Sequence, residues 1–103
     1  MVKLDLSHEA IADFCRRWRV SEFALFGSVL RDDFSPDSDV DVLVTFDADA
    51  DWSLLDHVQM QDELSVSFGR PVDVITRKGL ERSRNSLRRQ EILSSARLIY
   101  VAS

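Results

Sequence analysis

The sequence predicts an α/β fold: a small mixed β-sheet with helices packed on it. Three observations carry that prediction. Short apolar runs at Glu22–Phe26, Val40–Phe46 and Pro71–Ile75 have the length and composition of strands. The stretches before, between and after them place apolar residues at helical spacing. Gly27, Pro36 and Gly69 stand between these runs, where chain breaks are needed.

Ser7 is an N-cap for a first helix, in which Ile11, Phe14, Cys15 and Trp18 form one apolar face. The strand Glu22–Phe26 follows, and Gly27 ends it. Ser28 to Arg31 is read as a helical turn, and the polar stretch Asp32–Ser38 as a loop. The β-branched run Val40–Phe46 is the second strand, and the acidic segment Asp47–Asp51 is a connector. A helix is expected over Ser53–Phe68, with Leu54, Val58, Leu64 or Ser65, and Phe68 facing the core and Gly69 as its stop. Pro71 begins the third strand, where a missing N–H donor is tolerated. From Leu80 the chain is expected to be helical to its end, in one or two pieces, because Arg89, Ile92, Leu93, Ala96, Ile99 and Tyr100 follow helical spacing. The expected order is α-β-α-β-α-β-α, with helices on one face of the sheet.

A chain of 103 residues has room for one core, so residues 1–103 are expected to form a single domain. An apolar fraction of 45% against 30% charged residues places it among folded globular chains rather than disordered ones. No apolar run is long enough for a membrane span, and the N-terminus does not read as a signal peptide. Cys15 is the only cysteine, which excludes an intrachain disulfide and a cysteine-based zinc site. A cytoplasmic location follows as the expectation. Charge is unevenly spread: residues 1–75 carry 6 Lys/Arg against 16 Asp/Glu, and residues 76–103 carry 7 against 2. The acidic body argues against direct nucleic-acid binding, since phosphate contacts need cationic surface. The basic C-terminal segment reads equally as a solvated helix face, a partner contact or a triphosphate contact.

The chemistry concentrates in two places. Gly27 and Ser28 follow an apolar strand, and ten residues separate Ser28 from Asp39. Asp39 and Asp41 are two apart on the next strand, so they share a face, with Cα atoms about 6.6 Å apart. Both can converge on hard cations, while Val40 and Val42 point the other way. Magnesium prefers such oxygen ligands and keeps phosphate oxygens in its shell. In isolation, Asp-x-Asp is also compatible with solvent-facing strand residues. Glycine permits close backbone approach to a phosphate, and a helix starting at Ser28 would aim N–H groups at it. Gly-Ser alone is more often an ordinary strand-ending turn. Asp73 alternates with Val72 and Val74. It would complete a three-carboxylate set if its strand lies beside Val40–Phe46; the other reading is an edge residue facing water. Arg31, one turn after Ser28, reads as a triphosphate contact, a partner contact or a surface arginine. His8 and His57 are isolated and read as surface or helix-end residues, so Ser-His-Asp chemistry has no support. Trp18, Trp52 and Tyr100 are expected to pack rather than to stack on a base.

The pattern Gly27-Ser28-x10-Asp39-x-Asp41 resembles the signature of the nucleotidyltransferase superfamily that includes DNA polymerase β. The length is similar to that of its smallest branch, the minimal nucleotidyltransferase (MNT) domain. Arg70-Pro-Val-Asp-Val-Ile75 is similar to the family's third acidic element, and the segment Asn85–Tyr100 to MNT C-termini. One departure is that Asp32 and Asp33 follow Arg31 where the family commonly has glycine.

The resemblance implies a polymerase-β-like nucleotidyltransferase fold, with ATP as substrate and Mg2+ as cofactor. It implies that Gly27, Ser28 and Arg31 bind the nucleotide. Asp39, Asp41 and Asp73 would hold metal, and Asp73 would also promote deprotonation of the acceptor hydroxyl. MNT proteins are typically antitoxins paired with a HEPN-domain toxin. Some transfer AMP to a toxin tyrosine and release pyrophosphate, which implies a hetero-oligomer with that toxin. Two alternatives stay open: an antitoxin that neutralises by binding alone, and a transferase acting on a small molecule or an RNA end.

Overall fold

The computed structural model describes residues 8–27 and 39–102. Ser7, Ser28, Arg31 and the stretch 32–38 therefore lie outside the described residues. The elements run α1 (His8–Trp18), β1 (Val20–Phe26), β2 (Val40–Phe46), α2 (Leu54–Phe68), β3 (Val72–Thr76), α3 (Arg77–Glu81), α4 (Ser86–Ser95) and β4 (Arg97–Val101). They build a four-stranded sheet of order β3-β2-β1-β4. β1 is antiparallel to both β2 and β4, whereas β2 and β3 are parallel. The parallel pair is joined through α2, the long connection that parallel neighbours require.

Strand alternation sorts side chains onto two covered faces. On the first, Val20, Phe23 and Leu25 of β1, Val40, Val42 and Val44 of β2, and Val72 and Val74 of β3 pack against α1 and α2. Helix α1 contributes the expected Ile11, Phe14, Cys15 and Trp18, all buried. The Phe14 ring meets Phe23 edge-on at 6.1 Å, and Trp18 meets Trp52 edge-on at 5.1 Å. Trp52 Nε1 also donates to the Trp18 carbonyl at 2.9 Å, so this tryptophan packs as expected. On the second face, Ala24, Phe26 and Leu43 pack against Leu80 of α3 and Ile92 of α4. Helices thus cover both faces of the sheet, where the sequence reading expected one. The faces taken by α3 and α4 depend on the direction of the strand before them, which does not follow from composition.

The chain end also differs from expectation. Helix α4 stops at Ser95, Ala96 takes an extended backbone (ψ 133), and Arg97–Val101 forms β4 at the sheet edge. The Leu-Ile-Tyr-Val run has β propensity as well as helical spacing, and pairing with β1 decides between them. β1 itself begins at Val20, two residues earlier than expected, with an irregularity between Val20 and Glu22 that keeps both Val20 and Phe23 on the first face. The described order is accordingly α-β-β-α-β-α-α-β.

Helix α2 is set by its ends. Ser53 Oγ accepts from the Asp56 N–H while Asp56 accepts from the Ser53 N–H, a reciprocal cap. Gly69 closes the helix in the left-handed region (φ 71), as its position suggested. Its buried residues are Met60 and Leu64; Leu54 and Val58, expected in the core, are exposed. The inner face is partly polar because α2 also covers the outer edge of β3. Ser65 Oγ accepts from the Val72 N–H, and Gln61 Oε1 accepts from the Val74 N–H, each at 3.0 Å. His57 Nε2 lies 3.0 Å from the Val74 carbonyl, and since a carbonyl only accepts, that nitrogen carries the proton. His57 is therefore half-buried and bonded to the sheet, not a plain surface residue. Spaced four apart, these three side chains satisfy an edge that would otherwise present open backbone groups.

Candidate active site

The two ends that matter meet at one corner of the second face. β1 carries the chain to Phe26, whose register partner on β2 is Asp41. Gly27 follows with φ 79, a conformation side chains rarely adopt. A Cβ built there would collide with Asp41 Oδ2. Glycine is thus required twice over, by the backbone turn and by the carboxylate beside it.

On the next strand, β2 and β3 are locked in register from their first residues. The Val40 N–H donates to the Pro71 carbonyl at 2.9 Å, and the pairing then sets Val40 opposite Val72 and Asp41 opposite Asp73. Val40, Val72 and Val74 are buried on the first face, which turns Asp41 and Asp73 to the second. Asp39 precedes β2 by one residue and is exposed; Asp41 is half-buried; Asp73 is exposed. The condition attached to Asp73, that its strand lie beside Val40–Phe46, is met.

The electrostatics reflect this crowding. Burial pushes the Asp41 carboxyl above the usual carboxylate range. The neighbouring Asp73 and Asp39 charges push it further, and Arg88 on α4 opposes them. A partly desolvated Asp41 carboxylate under the field of two further acids is an unfavourable arrangement, one that a bound cation would relieve. The donor set is oxygen only, which fits Mg2+ rather than a soft metal. Among the described residues, no three acidic, histidine or cysteine groups converge into a ready-made metal cage.

Gly27, Asp39, Asp41 and Asp73 are therefore brought to one corner, while Ser28 and Arg31 lie outside the described residues. Arg88 is the residue that sequence reasoning did not single out. It sits in the basic C-terminal segment, four residues before the apolar Ile92, and that spacing was the available signal. A groove of about 330 Å³ lined by Phe46, Asp47, Arg77 and Lys78 lies toward the opposite ends of β2 and β3 and takes no part in this corner.

Comparison with known proteins gives a consistent result. A family model described as a nucleotidyltransferase domain matches residues 8–99. The protein adenylyltransferase MntA of Thermococcus cleftensis is 35% identical over 65 residues, which cover 63% of this chain and 64% of the relative. The chain thus spans just under two thirds of the length of the curated relatives it matches. A solved structure provisionally assigned as a minimal nucleotidyltransferase superposes with a TM-score of 0.67 at 32% identity, covering 87% of this chain and 86% of the other. Two toxin–antitoxin complexes share the fold at lower identity. One, containing AMP-PNP, has a TM-score of 0.70 at 18% identity and covers 95% of this chain and 76% of that one. The other holds a tri-AMPylated Shewanella oneidensis HEPN toxin with an MNT antitoxin; its TM-score is 0.61 at 16% identity, covering 92% of this chain and 70% of that one.

Proposed function

Because this chain belongs to the nucleotidyltransferase domain family, we propose that it is a Mg2+-dependent protein adenylyltransferase serving as an antitoxin. In this reading it moves AMP from ATP to a tyrosine hydroxyl of a HEPN-domain toxin, works in a complex with that toxin, and does so in the cytoplasm. The observation that carries the reading is the in-register pair Asp41 and Asp73, set beside Gly27 on one face of the sheet. The similarity to an adenylyltransferase, and to complexes containing AMP-PNP or an AMPylated toxin, supports the donor and the acceptor class.

Asp39, Asp41 and Asp73 would hold Mg2+, which when bound neutralises phosphate charge and polarises the α-phosphate. The rest falls to the chain. Gly27 leaves space for phosphate oxygens to approach the backbone beside Asp41. Asp73, exposed at the corner, accepts the proton of the acceptor hydroxyl. The acceptor oxygen then bonds to the α-phosphorus as the bond to the bridging oxygen breaks, and pyrophosphate departs. Positioning and charge balance supply most of the rate, since phosphoryl chemistry asks little covalent work of a protein.

Intact mass of a cognate HEPN-domain toxin after incubation with this protein, ATP and Mg2+ tests the reading. One or more added AMP units, absent with Asp39→Asn/Asp41→Asn, is the expected result. An unchanged toxin mass in a stable, inhibitory complex would replace the enzyme with a binding antitoxin.

A further inference from the structure

Helix α4 is seated on the second face of the sheet. Its buried Ile92 packs with Ala24, Phe26, Leu43 and Leu80, which fixes the helix's rotation. At about 100° per residue, Leu93 lies about 100° from Ile92 on one side, and Arg88 about 40° on the other. Leu93 and Ala96 border a groove over Glu22, Ala24, Leu43 and Thr45, the part of the sheet away from Asp41. Arg88 therefore falls on the side turned toward Phe26 and its register partner Asp41. Its charge acts on the Asp41 carboxylate, yet the two form no salt bridge. Arg17, Arg19 and Arg77 are each engaged with an acidic partner, and Arg89 donates to the Ser83 carbonyl. Arg88 is exposed, and among the described residues it has no such ion pair. The Asn85 side chain caps its backbone N–H, so the start of α4 is anchored without using the guanidinium.

We propose that Arg88 binds the β- and γ-phosphates of the nucleotide, closing the corner opposite Asp39, Asp41 and Asp73. The proposal rests on the nucleotidyl-transfer reading and adds to it a binding residue on a different element. A planar guanidinium offers paired N–H donors that match phosphate oxygens. Placed across from the carboxylates, it would orient the leaving pyrophosphate end while the α-phosphate stays near Asp73. It also gives the basic C-terminal segment a task within the site.

Calorimetric titration of ATP and of AMP, each with Mg2+, into the wild type, Arg88→Ala and Arg88→Lys tests this, with Arg82→Ala as a charge-matched control at the end of α3. Removing a charge-assisted phosphate contact should weaken ATP binding about tenfold to a hundredfold. AMP binding and the Arg82→Ala variant should change less than about twofold, and Arg88→Lys should recover part of the loss. Circular dichroism of each variant checks that the fold is kept. Equal losses for ATP and AMP, or ATP affinity unchanged in Arg88→Ala, would overturn the assignment. A wild type that binds Mg2+-ATP through Arg88 but modifies no toxin would sink only the proposed acceptor. A wild type that binds no Mg2+-ATP would remove both.

Discussion

A side-chain carbon at Gly27 would run into the carboxylate of Asp41. The end of one strand and the acid of its neighbour are thus built as a single unit, with the glycine's positive φ and missing Cβ both needed to keep the carboxylate in place. Gly27→Ala should therefore do more than strain a turn. The left-handed backbone alone costs an alanine about 1–2 kcal/mol. The displaced Asp41 should also lower affinity for Mn2+, used as a stand-in for Mg2+. Urea unfolding and metal titration of the variant check both halves. A variant with unchanged midpoint and unchanged metal affinity would show that the contact between the two residues is dispensable.

Asp41 links acidity to stability in a definite direction. Its folded carboxyl is shifted up, first by burial and then by Asp73 and Asp39. A group shifted up binds its proton more tightly in the folded state, so its favourable contribution is complete below the ordinary carboxylate range and is lost as pH rises through the raised value. At neutral pH the ionised Asp41 is a liability in the metal-free protein. Asp41→Asn should then be more stable than wild type by about 0.5 kcal/mol, the scale of a like-charge strand pair. The gap should shrink on acidification and reverse in saturating Mg2+, which stabilises only a protein able to bind it. Thermal melts at neutral and acidic pH, with and without Mg2+, read all three effects. A less stable Asp41→Asn protein at neutral pH without metal would contradict the crowding argument.

The outer edge of β3 depends on α2 side chains, so it can be opened one bond at a time. Gln61→Leu keeps the bulk but removes the acceptor for the Val74 N–H. A buried donor left unsatisfied costs about 1–3 kcal/mol. Hydrogen exchange at Val74 should accelerate more than at Val42, on the strand inside. Uniform acceleration across the sheet would mean that Gln61 supports global stability rather than this edge.

The geometry of the candidate corner is legible in the sequence where it is local. The alternation that separates Asp39 and Asp41 from Val40 and Val42 is a property of any strand, and Gly27 sits where a strand must turn. Asp73 was legible only conditionally, since its approach to Asp41 depends on β3 pairing with β2 in parallel register. What was missed is non-local. Ile99 and Tyr100 fit helical spacing, and only the free edge of β1 makes them a strand. Leu54 and Val58 fit an apolar helix face, but the inner side of α2 is given partly to Gln61, Ser65 and His57, which serve backbone groups of a strand later in sequence. Arg88 reaches the site through the rotation of α4 on the sheet, and no spacing within the site motif contains that information.

Cys15 offers a label for the whole first-face core. It is buried against the α1–β1 contact, and burial pushes its thiol up to about 12, with Arg16 opposing. The reactive thiolate is therefore scarce in the folded protein at neutral pH, and reagent access is closed as well. Alkylation by iodoacetamide should be slow in buffer and should rise with urea in step with global unfolding. Mg2+-ATP, if it binds the folded corner, should slow labelling further, because a ligand of the native state lowers the unfolded population by its binding factor. The corner and Cys15 lie on different faces of the sheet, so direct shielding does not explain such protection. Fast labelling in buffer that is insensitive to urea would show that α1 opens on its own, and the first-face core would then be less cooperative than its packing implies.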